Sequence, residues 1–237
     1  MASYTITGCT VADGAELSRN NMSAFWEDPH FILAWPHRTL DQHIAEQAKR
    51  IPLNLLDDNR TIKRHQKAID LETRRLLGYA RWRIPPSRAT KEDGTLEWPE
   101  AIVPAVGPEE EAEIRRVAEA AVFDPNQESD ELLVEVNEIR NEILTRKDYM
   151  RLDYLAVHPE NKRQGVATAL IQSGMKVAEN LGLDIYIQAT KAGLGAYKRC
   201  GFRIERELTQ DDSKYGGTGE VSTYFMIYEQ KLRPNAP

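Results

Sequence analysis

The stretch from Leu152 to Thr168, LDYLAVHPENKRQGVAT, constrains the fold more than any other: an apolar strand stops at a proline, and a basic, glycine-containing turn opens into a helix. Unpaired N–H groups and the positive end of the dipole favour anions at a helix N-terminus, so this layout suits a pyrophosphate. Gly165 lets the backbone approach a ligand closely, Ala167 keeps the next turn narrow, and Lys162 and Arg163 add positive charge.

The segments that follow fit a layered α/β unit. From Val166, the residues Val166, Ala167, Leu170, Ile171, Val177, Ala178 and Leu181 recur at helical spacing, and Gly182 is the expected stop. Leu183 to Thr190 alternates Ile185, Ile187 and Ala189 against Asp184, Tyr186 and Gln188, the pattern of a strand. KAGLGAYKRCGF then supplies a loop with Gly193 and Gly195, a short helix carrying Tyr197, and a Gly201 stop before Phe202 re-enters the sheet.

Upstream, Tyr4 to Val11 reads as a strand, and Asp13 with Glu16 resembles a capping box opening a helix through about Trp26. A second helix is expected over Leu40 to Arg50, closed by Pro52. Between them PHFILAWPHR mixes Phe31, Ile32, Trp35 and two prolines, which is not one regular element. Ile62 to Ile69 and Leu76 to Ile84 flank DLETRR as a hairpin. In Pro85 to Asp148, prolines break the first half into turns, and Pro108 to Val122 and Ser129 to Arg146 read as two amphipathic helices that must cover something, as a wall or lid. Ile114, Val117, Ala118 and Ala121 mark one apolar face; Leu132, Val136, Ile139 and Ile143 mark the other. Glu109 to Glu111 read as dipole partners of the first turn.

These residues resemble the GCN5-related N-acetyltransferases (GNAT), whose phosphate turn reads Arg or Gln, two free positions, Gly, one free position, then Gly or Ala. Here the window is Lys162, Arg163, Gln164, Gly165, Val166, Ala167. Lys162 departs from the pattern, keeping charge but losing the planar side chain. AVHPE before the turn and AYKRCGF after the second strand are also similar to the family's, and the close match covers roughly Arg151 to Leu208. The resemblance implies an α/β fold with a mixed, mostly antiparallel sheet and helices on both faces. It further implies a single domain over 1–237 with a helical insertion at about 85–148.

The resemblance also implies acetyl-CoA as cosubstrate, its pyrophosphate held by Arg163, Gln164, Gly165, Val166, Ala167 and Thr168. The strand ahead of the turn would splay from its neighbour, so that backbone near Leu155, Ala156 and Val157 meets the pantetheine arm. Tyr197 stands at the family's tyrosine position and is the expected proton donor to the leaving sulfur. A phenol of pKa about 10 serves a thiolate of about 8.5 as a hydrogen-bond donor more than as a free acid. An amine of pKa about 10.4 must lose a proton to react, and Asp153 and His158 are the two groups considered for it. By period 2, Asp153 shares a strand face with Leu155 and Val157. Phe31 and Trp35 fall where the family lines its acceptor site. The expected reaction is acetyl transfer to a primary amine of a small molecule by direct attack. Protein N-terminal or lysine acetylation is the alternative within the class, and a non-catalytic acyl-CoA sensor or interaction module the alternative outside it.

Composition excludes more than it selects. A formal charge of −6 argues against broad nucleic-acid binding and is mildly compatible with a cationic substrate. No apolar run is long enough to cross a bilayer and MASYTITGCT lacks the regions of a secretory signal, so the expectation is a cytoplasmic chain without a membrane partner. Cys9 and Cys200 are the two cysteines, too few for a disulfide framework. His30, His37, His43 and His65 show no metal-ligand spacing, no CxxC is present and no metal is expected. The GxxxxGK[ST] loop of nucleotide phosphate binders is absent. The last strand, Val221 to Glu229, follows a GGTG turn and is expected to pair with another subunit if the chain is a homodimer rather than a monomer.

Overall fold

The computed structural model describes residues 3–230 and builds one sheet from β1 (Tyr4–Gly8), β2 (Lys63–Asp70), β3 (Leu76–Arg83), β4 (Tyr149–Val157), β5 (Asp184–Ala189), β6 (Arg203–Asp211) and β7 (Glu220–Tyr228). The strand order is β1-β2-β3-β4-β5-β7-β6, and only the β4/β5 pair is parallel. Seven helices accompany it: α1 (Gly14–Phe25), α2 (Pro29–Ile32), α3 (Leu40–Leu55), α4 (Pro108–Glu119), α5 (Leu132–Leu144), α6 (Val166–Leu181) and α7 (Lys191–Arg199). This is the mixed, mostly antiparallel α/β fold expected from the sequence.

One face of the sheet is covered by α6 and α7. Leu170, Ile171 and Ala178 of α6 pack with Trp82, Met150 and Leu152 in the largest apolar cluster, which also takes in Tyr197. The Trp82 ring lies so close to α6 that a Cβ on Gly174 would stand 2.1 Å from it, so only glycine fits there. The opposite face carries α1 and α3, whose Leu17, Ile51 and Leu55 meet Ile69, Leu76 and Tyr79. Farther along that face, Val136, Ile139 and Ile143 of α5 meet Tyr149, Tyr186, Phe225 and Ile227.

Three expectations are corrected. Pro52 does not close α3, which runs on to Leu55. Its ring abuts Gly14 at the start of α1, where an added Cβ would be 2.7 Å away, so contact between the helices offsets the lost backbone bond. Asp13 does not open a capping box with Glu16; its carboxylate accepts the Thr10 N–H at 2.7 Å and pairs with Lys67, capping one turn earlier. The first half of the insertion is broken into turns as expected, and it also sends Ala89, Trp98 and Ala101 into the main apolar cluster. β7 lies between β5 and β6 with both edges paired within the chain, so β1 and β6, not the last strand, form the outer edges.

The two insertion helices behave differently. α5 buries the side predicted from its spacing. α4 leans on α3 with Ile114, Val117 and Ala118 only half-buried, as is Ala121 just beyond it, and none of its residues is fully enclosed. The connection between them is hooked to α3 and to the segment after α2. Val122 N–H donates to Glu46 Oε2 at 2.7 Å, Asn126 N–H donates to the Ala34 carbonyl at 2.9 Å, and Arg38 pairs with Asp124.

Candidate active site

The geometry begins where β4 parts from β5. β3 pairs with β4 from Arg151 to Val157, whereas β5 pairs with it only from Tyr149 to Leu152. From Asp153 onward β4 has no neighbour on its β5 side, and β5 continues to Ala189 against β7. The result is a wedge-shaped opening whose wide end lies at the turn into α6.

That turn is shaped for an anion. Gly165 caps α6 at φ 82° and Arg163 stands at φ 62°, so two positive-φ residues turn the amides outward. Among the described residues, no group of the chain accepts from the amides of residues 163–168; the first helical bond is Ala169 N–H to the Gly165 carbonyl at 3.0 Å. These are the orphan donors of a helix start, and with Gly165 they fit a pyrophosphate. The sequence assignment to Arg163, Gln164, Gly165, Val166, Ala167 and Thr168 therefore falls on one continuous cradle. Lys162, the residue that departs from the family pattern, is paired with Glu27.

The free edge of β4 is partly held by α1. Asn20 is buried, donates from Nδ2 to the Ala156 carbonyl at 3.2 Å, and accepts the His158 N–H at 2.9 Å. Leu155 and Val157 lie on the α6 face of the sheet, packed against its main cluster. His158 is buried and caps the next turn, Nδ1 accepting the Glu160 N–H at 3.3 Å. Burial first, then Arg19, lowers its pKa.

Asp153 is not on the face that simple alternation assigns. Leu152 pairs with Trp82 and Tyr154 with Arg81, so Asp153 is the extra residue of a bulge and leaves the register of Leu155 and Val157. Its carboxylate accepts Arg83 Nε at 2.7 Å and Arg81 Nε at 3.3 Å. Two guanidinium groups thus occupy the acid considered as a base.

Phe31 stacks on Phe25 with centroids 5.5 Å apart, and Phe25 meets Tyr154 of β4 edge-on at 4.9 Å. Phe31 therefore lies beside the β4 side of the opening. Trp35 is buried one layer back, 4.4 Å from His43 and 5.1 Å from Phe123 of the insertion. His43 is fully enclosed with neither ring nitrogen hydrogen-bonded, and burial followed by Arg38 and Arg50 lowers its pKa to about 4. Beneath α1 and α3 lies a cavity of about 130 Å³ lined by Asn21, Met22, Gln47, His65, Arg81 and Tyr154 among others. It adjoins the Asp153 cluster through Arg81.

Sequence reasoning missed one pair. His30 Nδ1 lies 3.0 Å from Oδ2 of Asp212, which is buried in the β6–β7 connection and accepts the Gly219 N–H through Oδ1. The two residues are far apart in the chain, and only the two prolines of PHFILAWPHR hinted that this segment is not one regular element.

Tyr197 sits on α7, 93 % buried, its ring edge-on to Phe202 at 5.7 Å. Burial raises its pKa, so the phenol stays protonated at neutral pH. Among the described residues its hydroxyl makes no hydrogen bond, leaving it available as a donor.

Comparison with known proteins matches this architecture to a family: the model of the acetyltransferase (GNAT) family aligns with residues 25–202. The chain belongs to the GNAT family. It is an N-acetyltransferase that uses acetyl-CoA, the thioester that supplies the acetyl group. No curated protein matches it. Among solved structures, it is similar to a Corynebacterium glutamicum protein described as histone acetyltransferase HPA2 and related acetyltransferase, at 20 % identity and TM-score 0.59, covering 98 % of this chain and 99 % of that one. It is also similar to the polyamine N-acetyltransferase of Drosophila melanogaster, at 13 % identity and TM-score 0.55, covering 96 % and 100 %. The PaiA N-acetyltransferase of Thermoplasma acidophilum, solved with coenzyme A, aligns at 13 % identity and TM-score 0.52, covering 96 % and 99 %. At these identities the likeness is one of fold. Among the described residues, no helix is long and apolar enough to cross a membrane, and no group of three or more His, Cys, Asp or Glu side chains is placed to hold a metal ion.

Proposed function

We propose that the acceptor is a primary amine on a small molecule, acetylated by direct attack on the thioester. The observation that carries this is the walled approach to the wedge. Phe25, Phe31 and Tyr154 stand on one side, and the hooked 122–126 connection and a cavity of about 130 Å³ lie behind them. A pocket of that size suits a compact acceptor better than an extended peptide. The Drosophila enzyme named for polyamines and an Aedes aegypti arylalkylamine N-acetyltransferase support a small amine by analogy of fold.

In this reading the amides of residues 163–168 hold the pyrophosphate, and the unpaired edge of β4 around Leu155 to Val157 lines the arm. Tyr197 donates a hydrogen bond to the departing sulfur. The amine's proton goes to Asp153, directly or through water, when one guanidinium lets go. A second acceptor has its own observation: Asp212 fixes His30 through Nδ1, which leaves Nε2 as the basic nitrogen.

The test is thiol release from acetyl-CoA with a panel of small amines and a panel of peptides, using wild type, Asp153→Asn and His30→Gln. Small amines are expected to stimulate release, and the variant that flattens the acid limb of the kcat/KM pH profile identifies the base. Release stimulated by peptides alone would move the chain to protein acetylation. CoA binding without release from any acceptor would make it a sensor.

A further inference from the structure

Four arginines converge on the sheet face where β4 and β5 part, and they face one carboxylate. Arg83 and Arg151 are direct cross-strand partners between β3 and β4, a placement in which like charges repel. Arg81 and Arg83 share Asp153. Arg151 makes no ion pair or side-chain hydrogen bond among the described residues although it is half-buried, and Arg140 of α5 finds only its neighbour Asn141, at 3.3 Å. Burial, then Arg83 and Arg140, lowers the Arg151 pKa, so the three guanidiniums feel one another.

A second observation comes from the other strand. Tyr186 of β5 is the parallel partner of Arg151; it is 97 % buried, and its hydroxyl has no hydrogen-bond partner among the described residues. Arg140 and Arg151 both act on that hydroxyl electrostatically. A chain with a net charge of −6 thus keeps a surplus of half-buried cation and an orphaned phenol at one spot. The buried phenol is costly unless something satisfies it.

The spot has a functional address. Arg151 and Tyr186 form the pair just before the last one, Leu152 with Ile187, so they mark the narrow end of the wedge. The pyrophosphate cradle marks the wide end, which places the thioester toward the arginines.

Resting on the small-amine reading above, the geometry points to an acceptor that carries an oxyanion, a carboxylate or a phosphate, in addition to its reactive amine. Arg83, Arg140 and Arg151 bind the oxyanion as fork-shaped donors, with the Tyr186 hydroxyl as a further donor. Asp153 pairs with Arg81 and Arg83 in the resting site, which leaves Arg140 and Arg151 without a counter-charge. The acceptor is therefore zwitterionic, an amino acid or a phosphorylated amine, and not a polycation. This reverses the direction suggested by net charge alone.

Matched pairs test it: phenylalanine against phenethylamine, β-alanine against propylamine, and phosphoethanolamine against ethanolamine, scored by kcat/KM for thiol release. The anionic member of at least one pair is expected to win by tenfold or more. The first two pairs report a carboxylate and the third a phosphate. Arg151→Gln, and independently Arg140→Gln on the α5 surface, are expected to shrink that preference at least fivefold, through KM rather than kcat. Arg151→Lys is expected to restore part of it. Thermal melts of each variant exclude unfolding. Preference for the members that lack an oxyanion, or a preference unchanged in both glutamine variants, overturns the oxyanion site while leaving amine acetylation standing. No turnover with any amine overturns both.

Discussion

Apart from Tyr197 on α7, the coenzyme side of the site is one continuous stretch, Leu155 to Thr168, whereas the acceptor side is assembled from α1, α2, α3, α5, β3, the start of β4, β5 and the β6–β7 connection. On the first side the functional groups are main-chain amides, and what matters is φ at Arg163 and Gly165. On the second they are side chains, placed by packing between segments remote in sequence. A change on the coenzyme side should therefore act at one step, while a change on the acceptor side spreads through packing and charge.

The sharpest break in that comparison is Gly165→Val. A β-branched residue at φ 82° is strained and would crowd the Tyr4 hydroxyl near the cradle. Affinity for CoA, measured by calorimetry, is expected to fall about 100-fold or more, with only ~1–2 kcal/mol lost from stability. Unchanged affinity would separate the turn from the coenzyme. Tyr197→Phe is next: kcat is expected to drop about 100-fold, the scale of one positioned proton donor, while CoA still binds. A kcat within twofold of wild type removes Tyr197 from the reaction.

On the acceptor side, His43 gives the fold a pH dependence. Its folded pKa near 4 lies below the usual 6.5, so between those values the unfolded chain binds a proton that the native protein does not. Its contribution is complete above pH 6.5 and is lost as pH falls, on the order of 2 kcal/mol by pH 5. Urea melts at pH 7.5 and 5 are expected to show this loss, and His43→Phe is expected to reduce it. The smallest effect is at the start of α3, where Thr39 accepts the Gln42 N–H and Gln42 accepts the Thr39 N–H. Thr39→Ala should cost about 1 kcal/mol in the same melts without changing CoA affinity.

The contrast also explains what could be read from the chain. α6 buries Val166, Leu170, Ile171, Ala178 and Leu181 as its spacing announces, and Gly182 ends it at φ 65°. α5 and the cradle were legible for the same reason, because each is decided by residues within a few positions. Asp153 was misplaced because a bulge depends on the partner strand, and alternation along β4 carries no sign of it. β2 hides Lys63, Arg64, His65 and Gln66, polar residues that read as surface. Arg64, for instance, donates from Nε to the Glu97 carbonyl and from Nη1 to those of Arg60, Thr61 and Lys63, while its Nη2 has no partner among the described residues. The His30–Asp212 contact and the arginine cluster likewise exist only after the sheet and α5 have come together.

Amide chemical-shift mapping during titration with CoA addresses the central claim most directly, since it reads the main-chain groups themselves. The expected result is that the largest shifts fall on residues 163–168 and on the unpaired edge of β4 from Asp153 to Val157, with α4 unmoved. Saturable CoA binding that leaves those amides unshifted would contradict the account.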